Sequence, residues 1–136
     1  MPFICPLCNK NGSLVISHSI ELPADLTSGS DELTLQVVAC DKCEFRGAAV
    51  YTESRRGRGE SWHHYCFAAP NDALKALAAL IDTCLTPADR NCSCSAHHTV
   101  GSRDLHGRWT PPIPIEARKT FPMRIASENP WWRFWR

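Results

Sequence analysis

The sequence lacks the long apolar runs and the strong charge imbalance that are typical of membrane proteins and of dedicated nucleic-acid binders. No stretch approaches the run of about 18 apolar residues that a transmembrane helix needs. The 15 Lys and Arg residues are opposed by 14 Asp and Glu residues, a net charge of +1, which excludes a uniformly basic chain. The first residues carry neither the basic nor the apolar segment of a secretory signal, so we expect a cytoplasmic protein.

The composition predicts one folded domain. A chain of 136 residues has about the length of a single domain, and it is long enough to bury a modest core. Apolar residues make up 43% of the chain and charged residues 21%, which disfavours wholesale disorder. The charge is uneven, because residues 1–50 contain three basic and six acidic side chains and are therefore acidic.

Four of the eight cysteines form two matched pairs that predict a structural zinc site. Cys5 and Cys8 are separated by two residues, as are Cys40 and Cys43. Two intervening residues allow one tight turn to direct both sulfurs at one ion, and two such turns complete a tetrahedral shell. A redox pair is the alternative, but two matched pairs on either side of strand-like sequence favour zinc. Four protein ligands leave no position for substrate.

The residues around these pairs resemble the zinc-ribbon superfamily. The resemblance lies in Ile-Cys-Pro-Leu-Cys at positions 4–8 and in Val-Ala-Cys-Asp-Lys-Cys-Glu-Phe-Arg-Gly at positions 38–47, within about the first 50 residues. Within that superfamily the layout is similar to the ZPR1-type zinc finger, although the glycine that usually follows the second pair there is replaced by Glu44. The resemblance implies a zinc-ribbon fold and carries no function.

A second group of soft ligands predicts another zinc ion. Cys84, Cys92, Cys94 and His97 lie within fourteen residues, in a turn-forming stretch that has little else to hold it in place. Cys66 is an alternative to Cys84 in this set. The cluster has two other interpretations: these side chains bind no metal, or three of them hold an open catalytic zinc.

The predicted fold is a small zinc-stabilised α+β domain with an extended antiparallel sheet and one covering helix. Alternating apolar residues predict the strands, and the Ala- and Leu-rich stretch that begins near Asn71, a candidate N-cap, predicts the helix. We expect a zinc-ribbon-containing domain at 1–100 and an extended Pro/Trp/Arg-rich arm at 101–136. The domain would consist of a zinc ribbon at 1–52, a hairpin at 48–68, a helix at 71–84 and a Cys/His-rich loop at 84–98.

Two surfaces are candidates for binding a partner. A glycine-flanked hairpin tip carries Arg55, Arg56 and Arg58, which suit phosphate contacts. The arm carries large aromatic anchors and arginines that suit a protein surface, namely Trp109, Trp131, Trp132, Arg133, Phe134, Trp135 and Arg136.

The leading functional hypothesis is a non-catalytic zinc-binding interaction module, an adapter that docks a protein partner or a second copy of itself through this arm. The alternatives are a nucleic-acid-associated zinc ribbon and a small zinc-dependent enzyme that uses the second cluster. A membrane partner is disfavoured. His64 and Cys66 share a strand face, but we expect Cys66 to be a buried apolar residue rather than a nucleophile.

Overall fold

The computed structural model describes residues 3–23, 32–54, 61–107, 109–110, 112 and 120–125. These residues form an antiparallel sheet and two helices. In chain order, the elements are β1 (Phe3–Ile4), β2 (Leu14–Leu22), β3 (Glu32–Cys40), β4 (Arg46–Ser54), β5 (Ser61–Phe67), α1 (Asn71–Asp82), α2 (Ser95–Val100), β6 (Thr120–Pro122) and β7 (Arg124–Ile125).

Strands β1–β5 are neighbours in chain order and pair antiparallel, so the predicted sheet is confirmed. The long strands alternate buried and partly exposed side chains because successive residues of a strand point to opposite faces. In β3, Leu33 and Leu35 point to the face that carries α1, and Gln36 and Val38 point to the other face.

The two short strands curl the sheet. Strand β6 pairs with β5 at one edge, and β7 pairs with β1 at the opposite edge. Only Met123 separates these two strands, and its backbone N–H donates to the His64 carbonyl at 2.9 Å. Both edges of the sheet therefore lie beside one short segment. This segment belongs to the predicted arm, and the domain boundary near residue 100 stays a prediction.

Each face of the sheet has its own apolar cluster. Helix α1 covers the larger one, because Leu74, Leu77 and Ile81 form one buried stripe. The sheet contributes to this cluster Ile20, Leu22, Leu33, Leu35, Val37, Ala48, Val50 and Phe67, and α2 contributes Val100. The other face holds Phe3, Cys5, Leu14, Val38, Cys40, Phe45, Ala49, Cys66 and Met123.

Three local predictions are corrected. Helix α1 ends at Asp82 rather than at residue 84, and its N-cap is Pro70 rather than Asn71. The proline offers no side-chain oxygen, and Asp72 instead accepts a hydrogen bond from the Ala73 N–H at 3.0 Å. Part of the region predicted as a Cys/His-rich loop is helical, since α2 begins at Ser95. Among the described residues, neither helix is long and apolar enough to cross a bilayer.

Candidate metal centres

The first four cysteines lie together at one end of the sheet. Cys5 and Cys8 belong to the turn after β1, Cys40 ends β3, and Cys43 lies in the turn to β4. The Sγ atoms of Cys5 and Cys43 are 3.6 Å apart and those of Cys8 and Cys40 are 3.7 Å apart. A tetrahedral ion with Zn–S bonds of about 2.3 Å requires sulfur–sulfur distances of about 3.8 Å. The cluster is geometrically compatible with zinc binding.

Backbone amides direct these sulfurs. The N–H groups of Leu7, Lys42 and Phe45 donate to the sulfur two residues earlier, at 3.4, 3.3 and 3.4 Å respectively. Such bonds stabilise a thiolate, which is the ligand form of cysteine. The turn after Cys8 needs left-handed backbone at Asn9 and Gly12, with φ of 60° and 69°. The short-range sequence therefore builds each half of the site.

Ser13 joins the two halves. Its carbonyl accepts a hydrogen bond from the Asp41 N–H at 2.9 Å, and its buried hydroxyl donates to the Lys10 carbonyl at 2.9 Å. Ser13, which follows the first cysteine pair in the chain, is thus hydrogen-bonded to the backbone between the two cysteines of the second pair. Sequence reasoning missed Ser13 because a single serine beside a turn has no distinguishing pattern.

The four thiols influence one another's ionisation. The Phe45 N–H lowers the pKa of Cys43, but burial and hydrogen bonds to Cys40, Cys5 and Cys8 outweigh it and raise that pKa to about 12. Burial raises the pKa of Cys40, but bonds with Ser13, the Lys42 backbone and its neighbouring thiols lower it to about 6. One thiolate therefore forms at the expense of its neighbours. A divalent cation is the partner that permits several thiolates together.

The second cluster gathers the four predicted residues from the segment that follows α1, the next loop and the start of α2. The Cys84 and Cys92 sulfurs are 3.8 Å apart, and His97 Nδ1 lies 3.4 Å from Cys84 Sγ and 3.3 Å from Cys94 Sγ. All ligand atoms lie within 4.8 Å of one another. With Zn–N of about 2.0 Å and Zn–S of about 2.3 Å, a tetrahedral ion requires nitrogen–sulfur distances of about 3.5 Å. This cluster is also geometrically compatible with zinc binding.

A backbone carbonyl fixes the orientation of the His97 ring. Nε2 lies 3.0 Å from the Glu21 carbonyl oxygen, which can only accept, so Nε2 carries the proton. The lone pair of Nδ1 then faces the sulfurs, which is the arrangement that a histidine ligand needs. Cys94 is the N-cap of α2, and its sulfur accepts from the His97 N–H at 3.4 Å. The Glu21 carbonyl could not be found from sequence, because its role depends on tertiary contact.

Cys66 belongs to neither cluster. It is fully buried in β5 opposite Ala49, and its Sγ lies 3.7 Å from the Phe67 carbonyl oxygen. Burial raises the pKa of Cys66 to about 12, so this thiol is a poor nucleophile at neutral pH. Cys84, not Cys66, occupies the position in the second cluster that the sequence left open between them.

His64 is engaged in packing and hydrogen bonding. Its Nε2 lies 2.9 Å from Gln36 Oε1, and its ring meets those of Phe3 and Tyr51 edge to face. Burial lowers the pKa of His64, which keeps its imidazole neutral near pH 7. Within the part of the chain that the structure describes, His64 and Cys66 do not form a thiol–imidazole pair, because His64 Nε2 lies beside Gln36 and Cys66 Sγ lies beside the Phe67 carbonyl oxygen.

The candidate partner-binding residues are only partly within the described chain. Trp109 is half-buried against the larger apolar cluster, and its Nε1–H donates to the Val100 carbonyl at 2.8 Å. The remaining residues of both candidate surfaces lie outside the described residues, namely Arg55, Arg56, Arg58, Trp131, Trp132, Arg133, Phe134, Trp135 and Arg136.

Comparison with protein-family models, with curated proteins and with solved structures finds no match to this chain.

Proposed function

We propose that this protein is a non-catalytic interaction module of zinc-ribbon type, stabilised by two structural zinc ions. The supporting observation is that each cluster offers four protein ligands at tetrahedral spacing. A tetrahedral ion with four protein ligands has no position left for water or substrate, so such a site supports folding rather than chemistry.

The donor set favours zinc over other divalent ions. Seven thiols and one imidazole are soft or borderline ligands, which disfavours magnesium, calcium and manganese. Metal analysis of the purified protein by inductively coupled plasma mass spectrometry tests this choice, and iron or copper as the dominant metal would contradict it.

Native mass spectrometry of three variants tests the two sites separately. We expect the wild type to bind two zinc ions, and Cys8→Ser and Cys92→Ser to bind one each. Cys66→Ala is the matched control, because it removes a cysteine that belongs to neither cluster, and it should keep both ions. One ion in the wild type, or loss of an ion in the control, would contradict the assignment.

The proposed partner is a protein surface, or a second copy of this chain, that receives the aromatic end of the arm. Residues 131–136 contain four aromatic side chains and two arginines, a composition typical of the anchors in protein interfaces. The near-zero net charge offers little phosphate neutralisation.

Light scattering of the full chain and of a chain truncated after Ser127 tests self-association, and affinity capture identifies other protein partners. We expect Trp132→Ala with Trp135→Ala to abolish binding and to leave zinc content unchanged. Replacing Arg55, Arg56 and Arg58 by alanine should have less effect. The opposite ranking, with a steep loss of binding as salt rises, would favour nucleic acid as the partner.

A further inference from the structure

The second cluster is connected to the sheet and to the base of the arm through the short helix α2. We propose that it is a metal-dependent clasp. With zinc bound, it holds α2 and the Trp109 ring against the sheet, and zinc loss frees both while the ribbon stays folded. This inference rests on the proposed function, because it requires that the second cluster bind zinc.

His97 is the residue through which the clasp acts on the sheet. One ring nitrogen faces the sulfurs of Cys84 and Cys94, and the other donates to the Glu21 carbonyl in β2 at 3.0 Å. The Glu21 N–H in turn donates to the Pro87 carbonyl at 2.8 Å, in the loop between the ligands. The cluster is therefore attached to both backbone groups of one residue in β2.

Helix α2 is too short to persist without external support. An isolated helix needs about 12 residues or more to be stable in water, and α2 has six. Its fixed points are the cap from Cys94, the ring of His97, and the buried side chains of Ala96 and Val100. Cys94 and His97 are also ligands of the second cluster, so a bound zinc ion would fix both residues in addition to these contacts, and zinc loss would remove that support from the helix.

Trp109 depends on α2 for its position. Its indole N–H donates to the Val100 carbonyl, at the last residue of the helix, and its ring packs against the larger apolar cluster. Its backbone also forms an isolated bridge with Arg103, whose guanidinium donates to the Pro23 carbonyl at 3.4 Å. If α2 becomes disordered, Trp109 loses its acceptor, and the base of the arm is released.

Two features make the clasp separable from the ribbon. A cavity of about 330 Å³ is lined by Cys92 and His97 together with Arg90 and His98, which gives chelators access to the cluster. The cysteines of the first metal cluster pack among the apolar residues on the other face of the sheet. That apolar cluster shares no residue with the larger apolar cluster, to which Val100 of α2 belongs.

Replacing two adjacent histidines in full-length protein tests the clasp. His97→Ala removes a ligand, and His98→Ala is the matched control, because His98 is the next residue of α2, is exposed and lies outside the cluster. Native mass spectrometry counts zinc, and NMR measures hydrogen exchange at the Trp109 indole N–H, assigned by comparison with Trp109→Phe. Titrating the wild type with a chelator gives the same readout without a substitution.

We expect His97→Ala to bind one zinc and to exchange the Trp109 indole proton at least about tenfold faster, with slow exchange kept in β3 and β4. The control should match the wild type. One zinc with unchanged Trp109 exchange would overturn the clasp and leave the proposed module intact. The clasp would also be overturned if the whole sheet lost its protection from hydrogen exchange both in His97→Ala and in wild-type protein from which a chelator had removed one zinc ion. A wild type with one zinc would instead contradict the proposed function.

Discussion

Gly47→Ala is expected to lower the free energy of unfolding, because Gly47 lies where β4 begins, after the second cysteine pair, and packs closely against β5. A Cβ atom built on Gly47 would lie 2.6 Å from the Phe67 carbonyl oxygen, 2.7 Å from Cys66 Sγ and 3.2 Å from Phe45 Cζ. The Phe67 carbonyl cannot yield easily, because Phe67 is paired with Ala48 across the sheet. Relieving the contact requires β4 and β5 to separate locally.

The magnitude follows from two opposing effects. Overpacking of a close-packed core costs about 1–3 kcal/mol and occasionally more, and two contacts below 3.0 Å point to the upper end of that range. The lower unfolded-state entropy of alanine offsets about 0.5–1 kcal/mol. We therefore expect the free energy of unfolding to fall by about 2–3 kcal/mol, which leaves a domain with typical stability still folded.

Urea unfolding followed by far-UV circular dichroism, at a fixed free zinc concentration, measures this loss. Adding Cys66→Ala removes the sulfur contact but not the carbonyl contact, so the double variant should lose less than the sum of the single losses. A loss below about 0.5 kcal/mol for Gly47→Ala, or simple additivity in the double variant, would refute this account of the contacts at Gly47.

Four further predictions concern single groups and the metal. Burial lowers the pKa of His64, so between that pKa and about 6.5 the unfolded state binds more protons than the folded state. The free energy of unfolding should therefore fall as the pH drops through this window, and His64→Gln should make it less dependent on pH there. Cys66 should resist iodoacetamide in the folded protein and react only on unfolding, as read by peptide mass mapping; rapid native labelling would contradict its burial. Trp109→Phe should lower the free energy of unfolding by about 1 kcal/mol through loss of the bond to Val100, and an unchanged urea midpoint would argue against that bond. Stringent removal of all zinc should unfold the ribbon, and an unchanged far-UV spectrum would count against structural metal.

The first cluster and the sheet were accessible from sequence because their signals are local. Two residues between paired cysteines specify a turn, and alternation in β3 and β5 specifies faces. The second ligand set was accessible from ligand density within one segment. Cys84 and Cys66 could not be separated by that reasoning, since only the sheet register buries Cys66 opposite Ala49.

Other features depend on contacts that no local pattern encodes. Helix α2 has only six residues, too few for a clear periodic pattern, and its position depends on the Cys94 cap, the bond from His97 to Glu21 and the burial of Ala96 and Val100. The segment that curls the sheet follows a proline-rich stretch, and its strands pair with β5 and β1, which are distant in sequence. Pro122 within this segment disfavours a strand prediction, while tertiary pairing at the sheet edges overrides that preference.

X-ray absorption spectroscopy at the zinc edge tests the central claim most directly. Seven thiolates and one imidazole shared between two ions predict an average shell of about 3.5 sulfurs near 2.3 Å and about 0.5 nitrogen near 2.0 Å per zinc. Two zinc ions per chain with that shell are the result we expect. A shell dominated by oxygen and nitrogen, or two ions with an open water-bound position, would contradict the account of two closed structural sites.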